Sequence, residues 1–485
     1  MTVEVHNWIG GAERPSPGTP RIERHSPHDG RLLSTMPDSH AGDVDAAISA
    51  AAEAFPTWSA VPPVQRGNQL YNFAAALRRE TDTLATIVAE ETGKPIQDAR
   101  GEVGGAIQLA DFFAGEGMRL YARTLTSGMP GKHSHTVRQP IGVAGLIVPA
   151  NTPIANIAWK VFPALVCGNT AVLKASEDAP RTADFFGRLA TASGIPVGVL
   201  NIIYGSGAVT GSVLVEDARV GVVSFTGSTG VGRRLAEVVG RRLGRVSLEL
   251  GGKNPFVACD DADFDRAVHW AALSAFSNAG QRCAAGSRII VMDGIYSRFR
   301  DALAARAKAL TLGVHEGADL GPVMLKRQQA TILSAIARAA DQGATVLCGG
   351  SEAPAGLPEK GAYVAPTLVE VPSHDMDIAH RELFGPVATL HRVADLAEAL
   401  ELANGTEYGL TAAIHTRDVD RANWFAHRVR AGVVNVNIGT YGSEPHMPFG
   451  GFGASGNGTR EPGVEALNVY SELKNISFLT RSELI

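Results

Sequence analysis

The stretch Val143-Ala144-Gly145-Leu146-Ile147-Val148 opens the part of the chain that decides the fold, because from here short apolar runs alternate with helical patterns. Runs of the same kind follow at 170–174, 199–203 and 221–225. Near-continuous apolar runs of this length are typical of parallel strands buried on both faces, and strands that alternate with helices indicate βαβ units. We therefore predict an α/β protein built on an open, doubly wound sheet.

The segments on either side of these runs extend the predicted architecture. Residues 1–40 are rich in turn-forming and charged residues and predict strands and turns, whereas the pattern from Asp43 to about Arg123 is helical. A second α/β run begins after Gly251, and residues 436–485 return to short strands and glycine loops. The strands and helices predicted in the second run lie at 255–258, 287–291, 264–278 and 328–342.

Composition and charge exclude several classes of protein. The 485 residues are 45% hydrophobic and 19% charged and include 54 glycines, as expected for a globular enzyme with many tight turns. The formal net charge is −5 and no long basic run occurs, so neither a nucleic-acid partner nor a membrane partner is expected. The most apolar segment, 141–167, is interrupted by proline, asparagine and lysine, so it does not predict a transmembrane helix.

The four cysteines form no CxxC pair and are too few to form a disulfide framework in a chain of this length. This favours a reducing compartment. The sequence does not begin with a basic region followed by an apolar core, so we expect a cytoplasmic protein. Its histidines form no HExxH motif and no Cys/His cluster, so no catalytic metal is expected. Cys167, Cys259 and Cys348 stand in or beside apolar runs, which predicts buried structural thiols.

Cys283 and Glu249 have sequence contexts that could support chemistry. Cys283 stands in Gly280-Gln281-Arg282-Cys283, between a predicted helix and a strand, where a stabilised thiolate could act as a nucleophile. A buried structural cysteine explains the residue as well. Glu249 stands between two leucines, where burial could raise its pKa and make it a general base, but a capping or ion-pairing glutamate is an alternative.

A glycine-rich turn at 225–232, Phe-Thr-Gly-Ser-Thr-Gly-Val-Gly, follows an apolar run and precedes a predicted helix. Free N–H groups at a helix N-terminus can bind a phosphate. The spacing is not GxGxxG, however, so a tight strand-to-helix turn explains it equally well.

Seven short motifs occur in order along the chain. They are Pro149-Ala150-Asn151-Thr152-Pro153, Lys174-Ala175-Ser176-Glu177, Phe225-Thr226-Gly227-Ser228, Leu248-Glu249-Leu250-Gly251-Gly252-Lys253, Gly280-Gln281-Arg282-Cys283, Glu382-Leu383-Phe384-Gly385-Pro386 and Pro448-Phe449-Gly450-Gly451. With them the chain resembles the aldehyde dehydrogenase superfamily over essentially its whole length. The resemblance implies a Rossmann-type cofactor domain, an α/β catalytic domain and a small β oligomerisation element. It also implies oxidation of an aldehyde to a carboxylic acid with NAD(P)+ through a cysteine thiohemiacetal and thioester.

The resemblance implies a role for each site residue. Cys283 would be the nucleophile, Glu249 the base that activates water against the thioester, and Asn151 a donor to the oxyanion. Glu177 would accept hydrogen bonds from the adenosine ribose and repel a 2′-phosphate, so NAD is expected rather than NADP. The implied cofactor-binding residues are Val148, Pro149, Ala150, Lys174, Ser176, Glu177, Gly207, Gly211, Phe225, Thr226, Gly227, Ser228, Val231, Leu250, Gly251, Glu382 and Phe384.

The same resemblance divides the chain into domains. It implies an NAD-binding domain at 1–121 and 142–250, a catalytic domain at 251–435, and an oligomerisation element that joins 122–141 to 436–485. Exposed strand edges in such an element need pairing, so a homodimer or homotetramer is expected.

The substrate and two rival functions stay open. The family motif around the oxyanion asparagine commonly has two aromatic residues where this chain has Ala150 and Thr152, which suggests a wider or more polar aldehyde tunnel. Arg282 could bind a substrate carboxylate or pair with a local acid. Residues 458–463 are similar to the end of acidic-semialdehyde oxidisers such as 2-oxoglutarate semialdehyde dehydrogenase, and aromatic aldehydes remain an alternative. The rivals are a CoA-acylating aldehyde dehydrogenase, in which the base position usually lacks glutamate, and a non-catalytic protein on the same scaffold.

Overall fold

The computed structural model describes residues 2–350 and 356–480. Its strands are β1 (Val3–Glu4), β2 (Asn7–Ile9), β3 (Ala12–Arg14), β4 (Arg21–His25), β5 (Leu32–Pro37), β6 (Thr124–Leu125), β7 (Lys132–Pro140), β8 (Val143–Ile147), β9 (Thr170–Lys174), β10 (Leu200–Ile203), β11 (Val220–Thr226), β12 (Arg245–Glu249), β13 (Asn254–Ala258), β14 (Gly286–Met292), β15 (Thr345–Cys348), β16 (Thr367–Glu370), β17 (Val387–Val393), β18 (Thr411–His415), β19 (Val433–Val436) and β20 (Ser471–Leu479).

The helices alternate with these strands through most of the chain. They are α1 (Ala41–Ala60), α2 (Pro63–Arg79), α3 (Thr81–Thr92), α4 (Ile96–Glu116), α5 (Pro153–Val166), α6 (Pro180–Ala192), α7 (Ser212–Glu216), α8 (Thr229–Arg241), α9 (Phe264–Phe276), α10 (Tyr296–Lys308), α11 (Lys326–Asp341), α12 (Asp377–His380), α13 (Leu396–Asn404), α14 (Val419–Ala426) and α15 (Ala466–Val469). Short turns of other helical types lie at Gly207–Gly211, Ser277–Gly280 and Gly453–Ser455.

The first large sheet confirms the fold predicted from the apolar runs. Its strand order is β12-β11-β8-β9-β10-β2-β3, and β8 to β12 pair in parallel. The order reverses direction at β8, so the carboxyl ends of neighbouring strands diverge there and leave a crevice, as in doubly wound folds. The core beneath this sheet contains the ring cluster Phe73, Phe162 and Phe186, in which the centroids of Phe73 and Phe186 are 4.7 Å apart.

The strands at the start of the chain extend this sheet. β2 pairs antiparallel with β10, with Trp8 opposite Ile202, and β3 pairs with β2. The side chain of Asn7 is fully buried, and its Oδ1 accepts a hydrogen bond from the N–H of Tyr204. Strands within residues 1–40 were predicted. Their pairing with β10 was not, because Trp8 and Ile202 are more than 190 positions apart and no local pattern indicates the contact.

The second large sheet has the order β15-β16-β17-β14-β13-β18-β19 and is parallel except for the β15–β16 pair. Strands and helices predicted for this part of the chain are present, with one change. The helix predicted at 264–278 ends at Phe276 because Asn278 and Ala279 adopt left-handed backbone angles, each with φ of 53°.

A small third sheet has the order β20-β7-β6. It joins the segment between α4 and β8 to the end of the chain, with Leu473 opposite Arg138 and Phe478 opposite His133. β20 is an edge strand, and the side chains of Leu473, Phe478 and Leu479 on it are more than half exposed. Residues 351–355 and 481–485, which fall within the domain ranges expected from the sequence, lie outside the described residues. No helix within the described ranges is long and apolar enough to cross a membrane.

Candidate active site

A cavity of about 780 Å³ lies between α4, the start of α5, the carboxyl ends of β11 and β12, and the turn that precedes β14. The structure brings many of the residues predicted for the site to its wall. Those that line it are Pro149, Asn151, Thr226, Gly227, Ser228, Glu249, Leu250, Gly251, Cys283, Glu382 and Phe384. Cys283, Glu249 and Asn151 therefore share one compartment although they come from different parts of the chain.

The turn that presents Cys283 has an uncommon backbone. Asn278, Ala279 and Gly280 are consecutive residues with positive φ, at 53°, 53° and 67°. A Cβ at Gly280 would lie 2.0 Å from the carbonyl oxygen of Gly385, so glycine is required there. Left-handed backbone at two residues other than glycine is uncommon and persists only where the surroundings hold it, which is a frequent property of functional sites.

Asn254 holds the residues that follow this turn. Its Nδ2 donates to the carbonyl oxygens of Cys283 (2.7 Å) and Ala285 (2.8 Å), and its Oδ1 accepts from the N–H of Thr411 (3.0 Å). One buried amide side chain thus ties the nucleophile's backbone to β13 and β18, and it fixes where the thiol projects into the cavity.

The environment of Cys283 disfavours a thiolate. Burial raises the pKa of the thiol to about 12, and the nearby carboxylates of Glu382 and Glu249 raise it further than the charge of Arg282 lowers it. Cys283 is partly exposed, whereas Cys167, Cys259 and Cys348 are buried as predicted. A reaction at this thiol near neutral pH therefore needs a group that takes up its proton.

Glu249 lines the same cavity and is near enough to Cys283 for its charge to raise the pKa of the thiol. It ends β12 with only 3% of its surface exposed, and neither carboxylate oxygen has a hydrogen-bond partner among the described residues. A Cβ at Gly450 would lie 2.8 Å from Oε1, so this glycine leaves room for the carboxylate. Burial and then the charge of Glu461 raise the pKa of Glu249 well above its usual range, and Lys160 only partly opposes them.

A buried ion pair lies beside Glu249 and was not predicted from the sequence. Lys160 Nζ is 2.8 Å from Glu461 Oε2, and both side chains are at most 1% exposed. Ser224 and Tyr470 also donate hydrogen bonds to Glu461 Oε1, at 2.9 and 3.0 Å. Lys160 and Glu461 are 301 positions apart, so no local pattern joins them.

Asn151 is held by contacts at both ends of its amide. Its Nδ2 donates to the carbonyl oxygen of Gln281 (2.9 Å), and its Oδ1 accepts from Asn156 (3.1 Å). An amide nitrogen has two N–H groups, and within the described part of the chain Nδ2 makes this one donated bond. The second N–H is therefore free for an acceptor in the cavity.

The predicted cofactor residues fit a dinucleotide. α8 begins at Thr229, and the side chain of its N-cap residue Ser228 makes no capping hydrogen bond, so the first N–H groups of the helix are free for a phosphate. Thr226 Oγ1 is buried and without a partner in the described residues, and it lines the same cavity. A Cβ at Gly251 would lie 2.0 Å from Glu382 Oε2, so glycine is needed there for Glu382 to reach its position.

Glu382 is another carboxylate of the cavity with a raised pKa. Burial raises its pKa to about 7, although a hydrogen bond from the N–H of Gly252 (3.2 Å) and the charge of Lys253 oppose the rise. Phe384, two residues on, has a positive φ of 51°.

Other residues predicted to bind the cofactor lie outside the cavity wall. Lys174 and Glu177 form an ion pair with N···O 2.9 Å at the carboxyl end of β9, where Lys174 is in register with Ile147 of β8. The remaining members are not brought to the wall of the cavity; they are Val148, Ala150, Ser176, Gly207, Gly211, Phe225 and Val231.

Two expectations about the substrate end of the cavity have different outcomes. Ala150 packs against Ala179 and Met324 and does not line the cavity, whereas Thr152 does line it. Of the two positions expected to shape the tunnel, only Thr152 therefore faces it. Arg282 does line it, with its guanidinium 4.9 Å from the centroid of the Tyr441 ring and its Nε buried without a partner among the described residues.

The part of the cavity wall that α4 forms was not predicted from the sequence. The side of this helix facing the cavity supplies Gln97, Asp98, Gly101, Glu102, Gly105, Gln108 and Leu109. These positions recur every three to four residues, so the helical period was visible, but three glycines inside a helix hid the pattern.

The cavity lies at the edge of a doubly wound sheet, and it combines a free helix N-terminus with a thiol, a buried carboxylate and an amide. These features define a nucleotide-dependent oxidoreductase that works through a covalent intermediate. Comparison with known proteins makes the class specific. Residues 14–476 match the model of the aldehyde dehydrogenase family, and the chain belongs to that family. It is an NAD(P)-dependent aldehyde dehydrogenase.

Its relatives cover nearly the whole chain. The chain is 35% identical to alpha-ketoglutaric semialdehyde dehydrogenase from Bacillus subtilis, over 97% of each protein, and 38% identical to an NADP+ succinate-semialdehyde dehydrogenase from Escherichia coli, over 93% of each. Among solved structures, a putative aldehyde dehydrogenase from Burkholderia cenocepacia superposes with a TM-score of 0.96 at 37% identity, covering 98% of this chain and 97% of that one. Betaine aldehyde dehydrogenase from Staphylococcus aureus in complex with NAD+ gives a TM-score of 0.96 at 31% identity, covering 99% and 95%.

Proposed function

We propose that this enzyme uses NAD+ to oxidise an aldehyde that also carries a carboxylate, and that Cys283 forms the covalent intermediate. The observation that carries the substrate class is Arg282. It lies next to the nucleophile, lines the cavity, and has no carboxylate within 4.0 Å in the described residues. Asp98 is near enough for the charge of Arg282 to lower its pKa, but burial raises that pKa more, so Asp98 is a weak competitor for the guanidinium. Several relatives are named for acidic semialdehydes.

Cys283 Sγ adds to the aldehyde carbon while its proton moves to Glu249. The carbonyl oxygen becomes an oxyanion, which accepts hydrogen bonds from the free N–H of Asn151 and from the backbone N–H of Cys283. Fixed donors of this kind stabilise developing charge because they need no reorganisation. When bound, the nicotinamide supplies the hydride acceptor, and the substrate is left as a thioester on Cys283.

Glu249 then acts on water. It first releases to solvent the proton that it took from Cys283, and the carboxylate then takes a proton from the water that attacks the thioester carbonyl. The C–S bond breaks, the acid leaves, and the proton on Glu249 returns to the sulfur of Cys283. Its missing hydrogen-bond partners and raised pKa suit a group that must accept and release a proton near neutral pH. A glutamate at this position favours water over CoA as the acyl acceptor, and assays with and without CoA separate the two.

For the cofactor we propose a preference for NAD+ over NADP+. Glu177 is partly exposed and paired with Lys174, so a 2′-phosphate placed against it would meet a carboxylate and compete for the lysine. The preference in kcat/KM should be about tenfold, the size expected for a like-charge contact in a partly desolvated groove. Measurement with both cofactors tests this, and Glu177→Ser should move the ratio toward NADP+. An NADP+ preference in the unaltered enzyme contradicts it.

The substrate proposal is tested with aldehydes of matched length. Arg282→Gln should raise KM for glutarate semialdehyde about tenfold or more, since a hydrogen-bonded ion pair is lost, and should leave KM for pentanal nearly unchanged. Arg298→Gln is the matched control, because Arg298 stacks on Phe264 at 3.8 Å and does not line the cavity. Equal effects of Arg282→Gln on both aldehydes would show that Arg282 does not bind the carboxylate.

We also propose the domain limits 1–121 with 142–250, 251–435, and 122–141 with 436–485, and a homodimer or homotetramer. The oligomer is supported by the pairing of β7 with β20 and by the exposed apolar side chains on the β20 edge. The cytoplasmic location stays a prediction.

A further inference from the structure

The cavity side of α4 carries side chains at both ends of its lining segment and glycine at two positions between them. Gly101, Gly104 and Gly105 stand in the middle of this helix, none with positive φ. Glycine inside a helix is destabilising relative to alanine because it loses more conformational freedom on folding. Three such residues within five positions therefore need a physical reason.

Packing does not supply that reason. A Cβ at Gly101, Gly104 or Gly105 would meet nothing within 4 Å. Gly115, on the same helix, differs, because a Cβ there would lie 2.8 Å from Arg119. At the three central positions, neither the backbone angle nor a close neighbour demands glycine.

Two of the three glycines face the cavity. Gly101 and Gly105 line it one helical turn apart, whereas Gly104 does not. The missing side chains therefore leave a flat opening along one turn of α4, which we call the α4 slot and define by Gly101 and Gly105. Larger side chains there would project into the space that holds the substrate.

The remaining lining combines polar and charged side chains with apolar and aromatic ones. Trp159 and Phe449 line the cavity and pack edge to face, with ring centroids 5.3 Å apart. Leu109, Pro445 and Pro462 line it as well. Flat backbone together with aromatic and proline side chains suits a planar apolar group, because such surfaces stack on a ring with little loss of side-chain entropy.

We propose that the α4 slot receives a ring, so that the aldehyde oxidised by this enzyme bears an aryl or other planar cyclic group. This inference rests on the proposed aldehyde oxidation at Cys283 and names the shape of its substrate. It is compatible with a carboxylate on the ring bound by Arg282, as in 4-carboxybenzaldehyde, and it does not depend on that carboxylate.

Substitution in the slot tests the proposal. Gly105→Leu and Gly101→Leu should lower kcat/KM for benzaldehyde about tenfold or more, because the added side chain overlaps the ring, and should lower kcat/KM for pentanal by less than about threefold. Gly104→Leu is the matched control from the same helix and should leave both values within about twofold. All three variants should unfold at a temperature equal to or above that of the unaltered enzyme, since leucine is the better helix former.

A binding measurement removes any dependence on turnover. In a Cys283→Ala background, calorimetry with benzaldehyde should give a Kd that Gly105→Leu raises about tenfold and that Gly104→Leu leaves unchanged. The proposal is overturned if the slot variants affect benzaldehyde and pentanal equally, or if benzaldehyde binding is insensitive to Gly105→Leu. Absence of turnover with every aldehyde would instead refute the proposed function, and the binding experiment would still decide the slot.

Discussion

Cys283 and Glu249 are both hard to ionise, and Glu249 adds to the effect at Cys283. The pKa of the thiol is about 12 partly because Glu249 is near, and the carboxylate's pKa is raised by burial and by Glu461. Two negative charges in this compartment are disfavoured, whereas one is tolerated. A proton that moves from sulfur to the carboxylate keeps the total charge constant. Burial favours this transfer at Glu249, whose pKa it raises, and opposes it at Cys283, whose pKa it also raises.

The same burial predicts how stability depends on pH. The folded-state pKa of Glu249 is raised above its ordinary value of 4.5, so the folded state holds this proton more tightly than the unfolded state. The group's contribution to stability is therefore full below pH 4.5 and is lost as pH rises toward the folded-state pKa. Glu249→Gln should raise the unfolding temperature, and by more at pH 8 than at pH 5.

Thermal unfolding at the two pH values measures this difference. Glu401→Gln is the control, since Glu401 is exposed on α13 and should show no pH-dependent gain. A Glu249→Gln variant less stable than the unaltered enzyme at pH 8 would mean that the carboxylate has favourable partners that the structure does not show.

At the scale of elements, the apolar runs predicted the parallel strands well because burial on both faces leaves a continuous signature in the sequence. The turn at 278–280 carries no such signature. Asn278 and Ala279 have positive φ only because tertiary contacts hold them, and the bonds made by Asn254 to Cys283 and Ala285 are among those contacts. The predicted helix therefore continued to 278, while the real one ends at Phe276.

Substitution of Asn254 tests whether its hydrogen bonds position Cys283. Asn254→Ala removes both donors and leaves buried carbonyl groups unpaired, so the nucleophile should shift within the cavity. A displacement near 1 Å costs about 10²-fold in rate, so kcat should fall by about that factor while the Kd for NAD+ changes little. Asn423→Ala, an exposed residue of α14, is the control. Equal losses in kcat and in NAD+ affinity would indicate general disruption of the fold instead of misplacement of Cys283.

At the scale of the whole molecule, the order of the seven motifs predicted which segments would meet, and most of the predicted residues do line one cavity. Contacts between residues far apart in the sequence could not be predicted, for a physical reason. A buried lysine such as Lys160 could pair with any buried carboxylate, and a strand such as β2 could pair with any free strand edge. Only the folded chain therefore identifies Glu461 and β10 as the partners. Ala150 shows the opposite error, since a residue inside a recognised motif points into the core and not into the tunnel.

The third sheet gives a prediction about assembly. β20 exposes Leu473, Phe478 and Leu479 on an edge strand, and such an edge is normally paired or covered. Leu473→Lys together with Phe478→Lys should lower the mass measured by sedimentation from that of a dimer or tetramer. Leu243→Lys is the control, because Leu243 is 95% exposed and lies on the turn after α8. A monomeric unaltered enzyme would contradict the proposed assembly.

The central claim is that Cys283 carries the acyl group and Glu249 delivers water to it. The most direct measurement is the mass of the Glu249→Gln variant, acid-quenched after mixing with NAD+ and the aldehyde that gives the highest kcat/KM. We expect a mass increase equal to one acyl group, located by peptide mapping on the peptide that contains Cys283, and no such increase in the Cys283→Ala variant. Formation of NADH without an acyl adduct, or an adduct on another residue, would contradict it.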